Sequence, residues 1–204
     1  MIEAKHTYLG TQVKKLYSGY RLNKAFCDIR YVGEFTDQGK PVLMIGNHFS
    51  WWDGFIQCRL NDTLIHRKLY VMMLEEQLKN FRILSEMGAY SVRKNSRDIL
   101  ESLRYTVDLL TDNKNIVLIF PQGKIQSMHV TEYHFENGLA YILKHLKKEI
   151  QFVFNVNLVD YFSEKKPSLT IYQQEADYKN KSLQSIEDEY NRFASWCRQQ
   201  QMKP

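Results

Sequence analysis

The sequence predicts an α/β fold: a mainly parallel central sheet flanked by helices, with an N-terminal amphipathic helix. Three observations predict it. Short apolar runs of strand length alternate with longer stretches of helical period. The runs stop at breakers such as Gly46-Asn47 and Pro121-Gln122-Gly123. No run approaches the roughly 20 apolar residues that span a bilayer.

Taken in order, residues 4–26 read as a helix. Tyr8, Leu9, Val13, Leu16, Tyr17 and Tyr20 recur at threes and fours, with Lys5, Lys14, Lys15, Arg21 and Lys24 between them. Residues 1–30 carry six Lys or Arg against two acids. The first expectation is a helix packed on the domain by its apolar stripe, with its charges in water. The second is a helix lying in a membrane interface.

Asp28–Phe35 reads as a strand, Thr36–Gly39 as a turn, and Pro41–Ile45 as a buried strand ending at Gly46. A helix follows from Asp53 to about Asn61. Lys68–Leu74 is another short apolar run, and a helix over Glu75–Met87 is closed by Gly88 in the left-handed conformation. Ala89–Val92 is a brief strand. Ser96 and Asp98 open a helix over Arg97–Asp112, with Ile99, Leu100, Leu103, Val107 and Leu110 on its apolar face. Ile116–Phe120 is a buried strand. Glu136–Lys148 is helical, Gln151–Val159 and Ser168–Tyr172 are strands, and Leu183–Gln200 is a charged helix. Ligands of such sheets gather at the carboxyl ends of strands. His48 and Gln122, 74 positions apart, each follow a strand and are expected to share one pocket.

A length of 204 residues predicts one domain: a helical segment 1–27, a core 28–160, and a strand and helix in 161–204. No apolar stretch near the start resembles a secretory signal. The three cysteines are widely spaced, which fits a reducing compartment and no zinc knuckle. No Cys/His cluster has metal-ligand spacing. The net charge of +5 suits an anionic surface or substrate. Nucleic acid is excluded as a partner, because the basic residues are spread along the chain and no recognition module is present.

The stretch Gly46-Asn47-His48-Phe49-Ser50-Trp51-Trp52-Asp53-Gly54 carries the chemistry. Five positions separate His48 from Asp53 across a strand exit, near enough for the carboxylate to hold one imidazole nitrogen and leave the other outward as a base. No Ser or Cys is set up as a nucleophile, so the pair suits activation of a substrate hydroxyl. The bland alternatives are a structural His and an Asp that caps the following helix. At least one of Trp51 and Trp52 is expected in the core.

The N-H-x-x-x-x-D pattern resembles the first motif of the glycerolipid and lysophospholipid acyltransferases. Gly88-Ala89-Tyr90-Ser91-Val92-Arg93-Lys94 resembles the second, with Lys94 where the family's phosphate-binding Arg stands and Arg93 one place earlier. Phe120-Pro121-Gln122-Gly123-Lys124 resembles the third, with Gln122 replacing Glu, Lys124 replacing Thr and Ile125 replacing Arg. Asn155 stands near the Pro of the fourth. The resemblance spans about residues 28–160.

It implies an O-acyltransferase that moves a fatty acyl group from acyl-CoA or acyl-carrier protein to a hydroxyl of a polar lipid. His48 and Asp53 are the catalytic pair. Asn47, Arg93, Lys94, Gln122, Gly123 and Lys124 bind substrate, and an N–H near Gly123 or after His48 meets the oxyanion. No cofactor is needed beyond the thioester co-substrate. The expected location is cytoplasmic, at the inner face of a membrane. The alternative is a non-catalytic lipid- or carrier-binding relative. His129 and His134 read as acceptor-site or loop residues.

Overall fold

The computed structural model describes residues 1–93 and 98–203. Seven strands form one sheet in the order β1-β7-β6-β2-β5-β3-β4. They are β1 (Asp28–Val32), β2 (Val42–Gly46), β3 (Lys68–Leu74), β4 (Ala89–Val92), β5 (Asn115–Ile119), β6 (Gln151–Asp160) and β7 (Ser168–Ala176). β6 and β7 pair antiparallel, and every other pairing is parallel. The sheet is thus mainly parallel, with a reversed edge formed by β7 and β1.

β2 lies in the middle, flanked by β5 and β6, and all five of its residues are buried. Its side chains alternate between two cores, as strand geometry requires. Leu43 and Ile45 join one core, Val42 and Met44 the other. The first core is closed by α5 (Ile99–Leu109), α6 (Gly138–Lys144) and α7 (Leu183–Gln201). The second is closed by α1 (Tyr8–Ala25) and α2 (Asp53–Leu60). The chain leaving β2 enters α2 on one face, and the chain leaving the adjacent β5 enters α6 on the other. A crevice opens where neighbouring connections part in this way.

α1 differs from the first expectation. Thr7 caps it, its hydroxyl accepting the Gly10 N–H at 3.0 Å. The face turned inward is Gly10, Lys14, Ser18 and Leu22, spaced by fours. Gly10 sets this face. A Cβ there would stand 2.5 Å from the Glu86 carbonyl oxygen, so only glycine lets the helix approach so closely. The apolar residues are therefore left outside: Tyr8 is 82 % exposed and Leu16 73 %.

The helix expected over Glu75–Met87 is two short ones, α3 (Glu75–Asn80) and α4 (Ile83–Glu86). Phe81 leaves helical backbone between them and turns its ring to Trp51, 5.6 Å away. α2 runs on into a π-turn over Asn61–Ile65. Ser96 and Arg97, expected to open α5, lie outside the described residues. Gly88 has φ +104° as its closing role requires.

Candidate active site

Asp53 is the first residue of α2 and does not cap it. Its Oδ2 accepts three hydrogen bonds: from the Phe49 N–H at 2.8 Å, the Ser50 N–H at 2.9 Å and His48 Nδ1 at 2.7 Å. The side chain is fully buried, and burial pushes its carboxyl above the usual carboxylate range, against the pull of His48 and the two amides. One oxygen thus folds the loop 48–53 around itself and fixes the imidazole. With Nδ1 committed, Nε2 is the nitrogen left for chemistry. The ring stacks on Phe120, centroids 4.3 Å apart, at the end of β5.

His48 lines a cavity of about 730 Å³ that opens at the carboxyl ends of β3, β4 and β5. The walls are mostly apolar and come from both faces of the sheet. Ile99, Leu103, Ile119, Leu139 and Ile142 of the first core line it, as do Cys58 and Val71 of the second, together with Met73, Leu84 and Met87. A pocket of this kind suits an alkyl chain.

Gln122 and His48 come together, but through their backbone side. The His48 N–H donates to Gln122 Oε1 at 2.7 Å, and Gln122 Nε2 donates to Gln126 Oε1. Gln126 in turn donates its N–H to the His48 carbonyl at 2.9 Å. The loop after β5 is therefore stitched to the loop after β2 by a closed ring of hydrogen bonds. Gln122 is 3 % exposed and does not line the cavity. Asn47 is turned inward too: its Nδ2 donates to the Asn157 carbonyl at 3.0 Å and its Oδ1 accepts the Asn157 N–H at 2.8 Å. Both were expected to face substrate.

Gly123 and Lys124 do line the cavity. Gly123 has φ +63°, a conformation that favours glycine, and its N–H donates to the Phe120 carbonyl at 3.0 Å. An N–H near Gly123 or in the loop after His48 was expected at an oxyanion; the amides of Gly123, Phe49 and Ser50 are the ones whose partners bear on it. All three are spent within the two loops. Arg93 is held by Glu75 at 2.8 Å and Asp98 at 2.6 Å and does not line the cavity. Lys94 lies outside the described residues.

Neither tryptophan is core. Trp51 is 38 % exposed and lines the cavity. Trp52 is half-buried, stacks on Tyr17 of α1 at 6.5 Å and carries the Arg21 guanidinium 4.7 Å from its ring centroid. His129 and His134 are exposed loop residues away from the cavity, His134 lying 3.4 Å from Glu187.

Several site residues gave no signal in the sequence. Phe120 was legible only as core, and Gln57 as one more helical polar residue. Gln57 Nε2 donates to Asn155 Oδ1 at 2.5 Å, and Asn155 Nδ2 to the Tyr172 carbonyl at 3.0 Å. This explains Asn155 on a buried strand, beside Gly46. Among the described residues no group of His, Cys, Asp and Glu could hold a metal ion.

The sheet, the switch-point crevice and the His48–Asp53 pair fit an enzyme that activates a substrate hydroxyl. Residues 28–159 match the acyltransferase family, and the chain belongs to that family. Among solved structures it is similar to the crystal structure of the 1-acyl-sn-glycerophosphate (LPA) acyltransferase PlsC from Thermotoga maritima. The identity is 15 %, the TM-score is 0.60, and the match covers 92 % of this chain and 77 % of that one. At that identity the likeness bears on the fold alone. None of the curated proteins matches the chain.

Proposed function

We propose that the protein transfers a fatty acyl group from a thioester, acyl-CoA or acyl-carrier protein, to a hydroxyl of a polar lipid at a membrane surface. The observation that carries this reading is the His48 Nδ1–Asp53 Oδ2 contact at 2.7 Å on the wall of a large apolar cavity. His48 Nε2 takes the proton of the acceptor hydroxyl as its oxygen attacks the thioester carbonyl. Asp53 keeps the tautomer and stabilises the imidazolium that forms. Collapse of the tetrahedral intermediate breaks the C–S bond, and the imidazolium returns its proton to the departing thiolate. General base catalysis is worth about 10²–10⁴-fold.

In this reading Gly123 and Lys124, which line the cavity, meet the substrates, the exposed Lys124 offering its charge to an anionic head group or the donor's phosphates. Asn47 and Gln122 act through the loops they hold. Lys94 and Arg93 retain the role of charge near the acceptor, with Arg93 set by Glu75 and Asp98.

The membrane surface is supported by what borders the cavity. The exposed aromatic and aliphatic residues of α1 run through Tyr17 to Trp52, Trp51 and Phe81 in successive ring contacts of 6.5, 5.4 and 5.6 Å. Among the described residues no helix is long and apolar enough to cross a membrane. The proposal is a peripheral enzyme at the cytoplasmic face, a compartment suited to its three free cysteines.

The test supplies purified protein with labelled hexadecanoyl-CoA or hexadecanoyl-carrier protein and a polar-lipid extract, and reads products by mass. A new acyl ester names the acceptor. Release of free fatty acid alone from both donors, with no ester formed, would refute the lipid acceptor.

A further inference from the structure

α1 carries one charged residue that its amphipathic pattern does not explain. Lys14 is 4 % exposed, on a helix whose tyrosines and leucines stand in solvent. Among the described residues it makes no ion pair and no hydrogen bond. A lysine so deeply buried is rare without a partner. Two titratable groups that its charge reaches, His6 and Cys58, offer no anion. Burial pushes the His6 imidazole down to about 4 and the Cys58 thiol up to about 12, so both are neutral at physiological pH.

Lys14 lines the same cavity as His48, and its charge reaches Cys58, which lines that cavity too. Cys58 is five residues beyond Asp53 on α2, about 7.5 Å further along the helix axis. The ammonium, whose charge reaches Cys58, thus stands away from the reacting centre, in a cavity whose walls are mostly apolar. A plain hydrocarbon tail laid against it would leave a desolvated cation with no acceptor, a costly arrangement. A phosphate, with several charged oxygens, calls for several donors, and the other lysine lining the cavity, Lys124, is exposed whereas Lys14 is buried. One ammonium among apolar walls matches one oxygen on an otherwise apolar chain.

Resting on the acyl-transfer reading above, we infer that Lys14 is a specificity-determining residue. It selects a donor whose acyl chain carries an oxygen substituent: a hydroxyl, a keto group or a carboxylate. The thioester end sits at His48 and the oxygen accepts a hydrogen bond from the ammonium. A hydrogen bond to a charged group is worth about a tenfold preference or more.

The test compares hexadecanoyl-CoA with its 3-hydroxy, mid-chain hydroxy and ω-carboxy derivatives, against one acceptor. Wild type, Lys14→Met and Lys14→Arg are assayed. The expected result is a wild-type kcat/KM at least about tenfold higher for one oxygenated donor than for the plain one. Lys14→Met, of similar length and uncharged, should bring that ratio close to one and raise the melting temperature. Lys14→Arg should keep the preference.

A wild-type ratio near one overturns the inference, and so does a preference that survives Lys14→Met. An acceptor KM raised by Lys14→Met at an unchanged donor ratio assigns the ammonium to the acceptor's head group and also overturns it. Binding is read separately on the His48→Ala variant, by the melting-temperature shift each donor produces. An oxygenated donor should stabilise it more than the plain one, and this difference should vanish in His48→Ala/Lys14→Met. If wild type transfers no acyl group from any donor, the acyl-transfer reading fails. The binding comparison then still decides the inference, because equal shifts from plain and oxygenated donors refute it.

Discussion

Gln122 Oε1 accepts the His48 backbone N–H at 2.7 Å, across 74 positions of sequence. Gln122, three residues past the end of β5, thereby sets the backbone on which the catalytic imidazole rides. The bond lies at the point where the chain leaves β2 for one face of the sheet and β5 for the other.

Replacing Gln122 by Leu strands that buried N–H and leaves Gln126 Oε1 without its donor. The expected cost is about 1–3 kcal/mol of stability for the unsatisfied amide, with a fall in kcat from the loosened His48. Gln122→Glu keeps the acceptor but loses the donor to Gln126, and should fall between wild type and Gln122→Leu. Urea midpoints and kcat measured together check the order of the three proteins.

Asp53→Ala removes the acceptor of three hydrogen bonds at once. The loop 48–53 should lose its shape and the imidazole its fixed tautomer. kcat should fall about 10²–10⁴-fold, and stability should fall too. Asp53→Asn keeps the volume and part of the acceptor capacity, so it should recover stability more than activity. Equal recovery of both would count against a role in orienting a base.

His6 links pH to the attachment of α1. Its ring packs edge-on to Tyr70 at 4.5 Å, and burial, then Lys14 and Lys68, hold its pKa at about 4 against the usual 6.5. Between pH 6.5 and about 4 the unfolded chain binds a proton that the native protein refuses. Stability from this group is therefore present above pH 6.5, falls across that window, and is fully lost below about pH 4. His6 has φ +49°, which Asn tolerates. His6→Asn should show a shallower decline of melting temperature from pH 7 to 4 than wild type. Parallel declines would remove His6 from the account.

The double substitution Leu16→Ser/Tyr20→Ser strips two exposed residues from α1, 73 % and 65 % in solvent, without touching the core. Liposome pelleting should fall about tenfold or more while the melting temperature holds, since each side chain buries about 1.5–3 kcal/mol of apolar surface in a membrane. Unchanged pelleting would place the membrane contact elsewhere.

The individual strands and the His48–Asp53 pair were legible because each rests on local pattern. β2 and β5 are short apolar runs with sharp breakers, and the pair lies within one loop. The inward face of α1 was not legible. Periodicity reports that a helix has an apolar stripe, and only the contact of Gly10 with the Glu86 carbonyl decides that the stripe faces out. Lys14 read as one of several solvated lysines for the same reason. The break at Phe81 depends on its ring reaching Trp51, a contact that local helix propensity does not contain. The inward turn of Gln122 and Asn47 follows from β2, β5 and β6 lying side by side, which no single segment states.

The most direct measurement is acyl transfer by wild type and by His48→Ala, with folding of both checked by circular dichroism and melting temperature. His48→Ala removes only the ring and keeps the backbone N–H and carbonyl that bond Gln122 and Gln126, so the variant should fold as wild type does. The account predicts ester formation by wild type and a rate about 10²–10⁴-fold lower, or none, in the variant. Equal rates in two folded proteins would contradict it and remove His48 as the base.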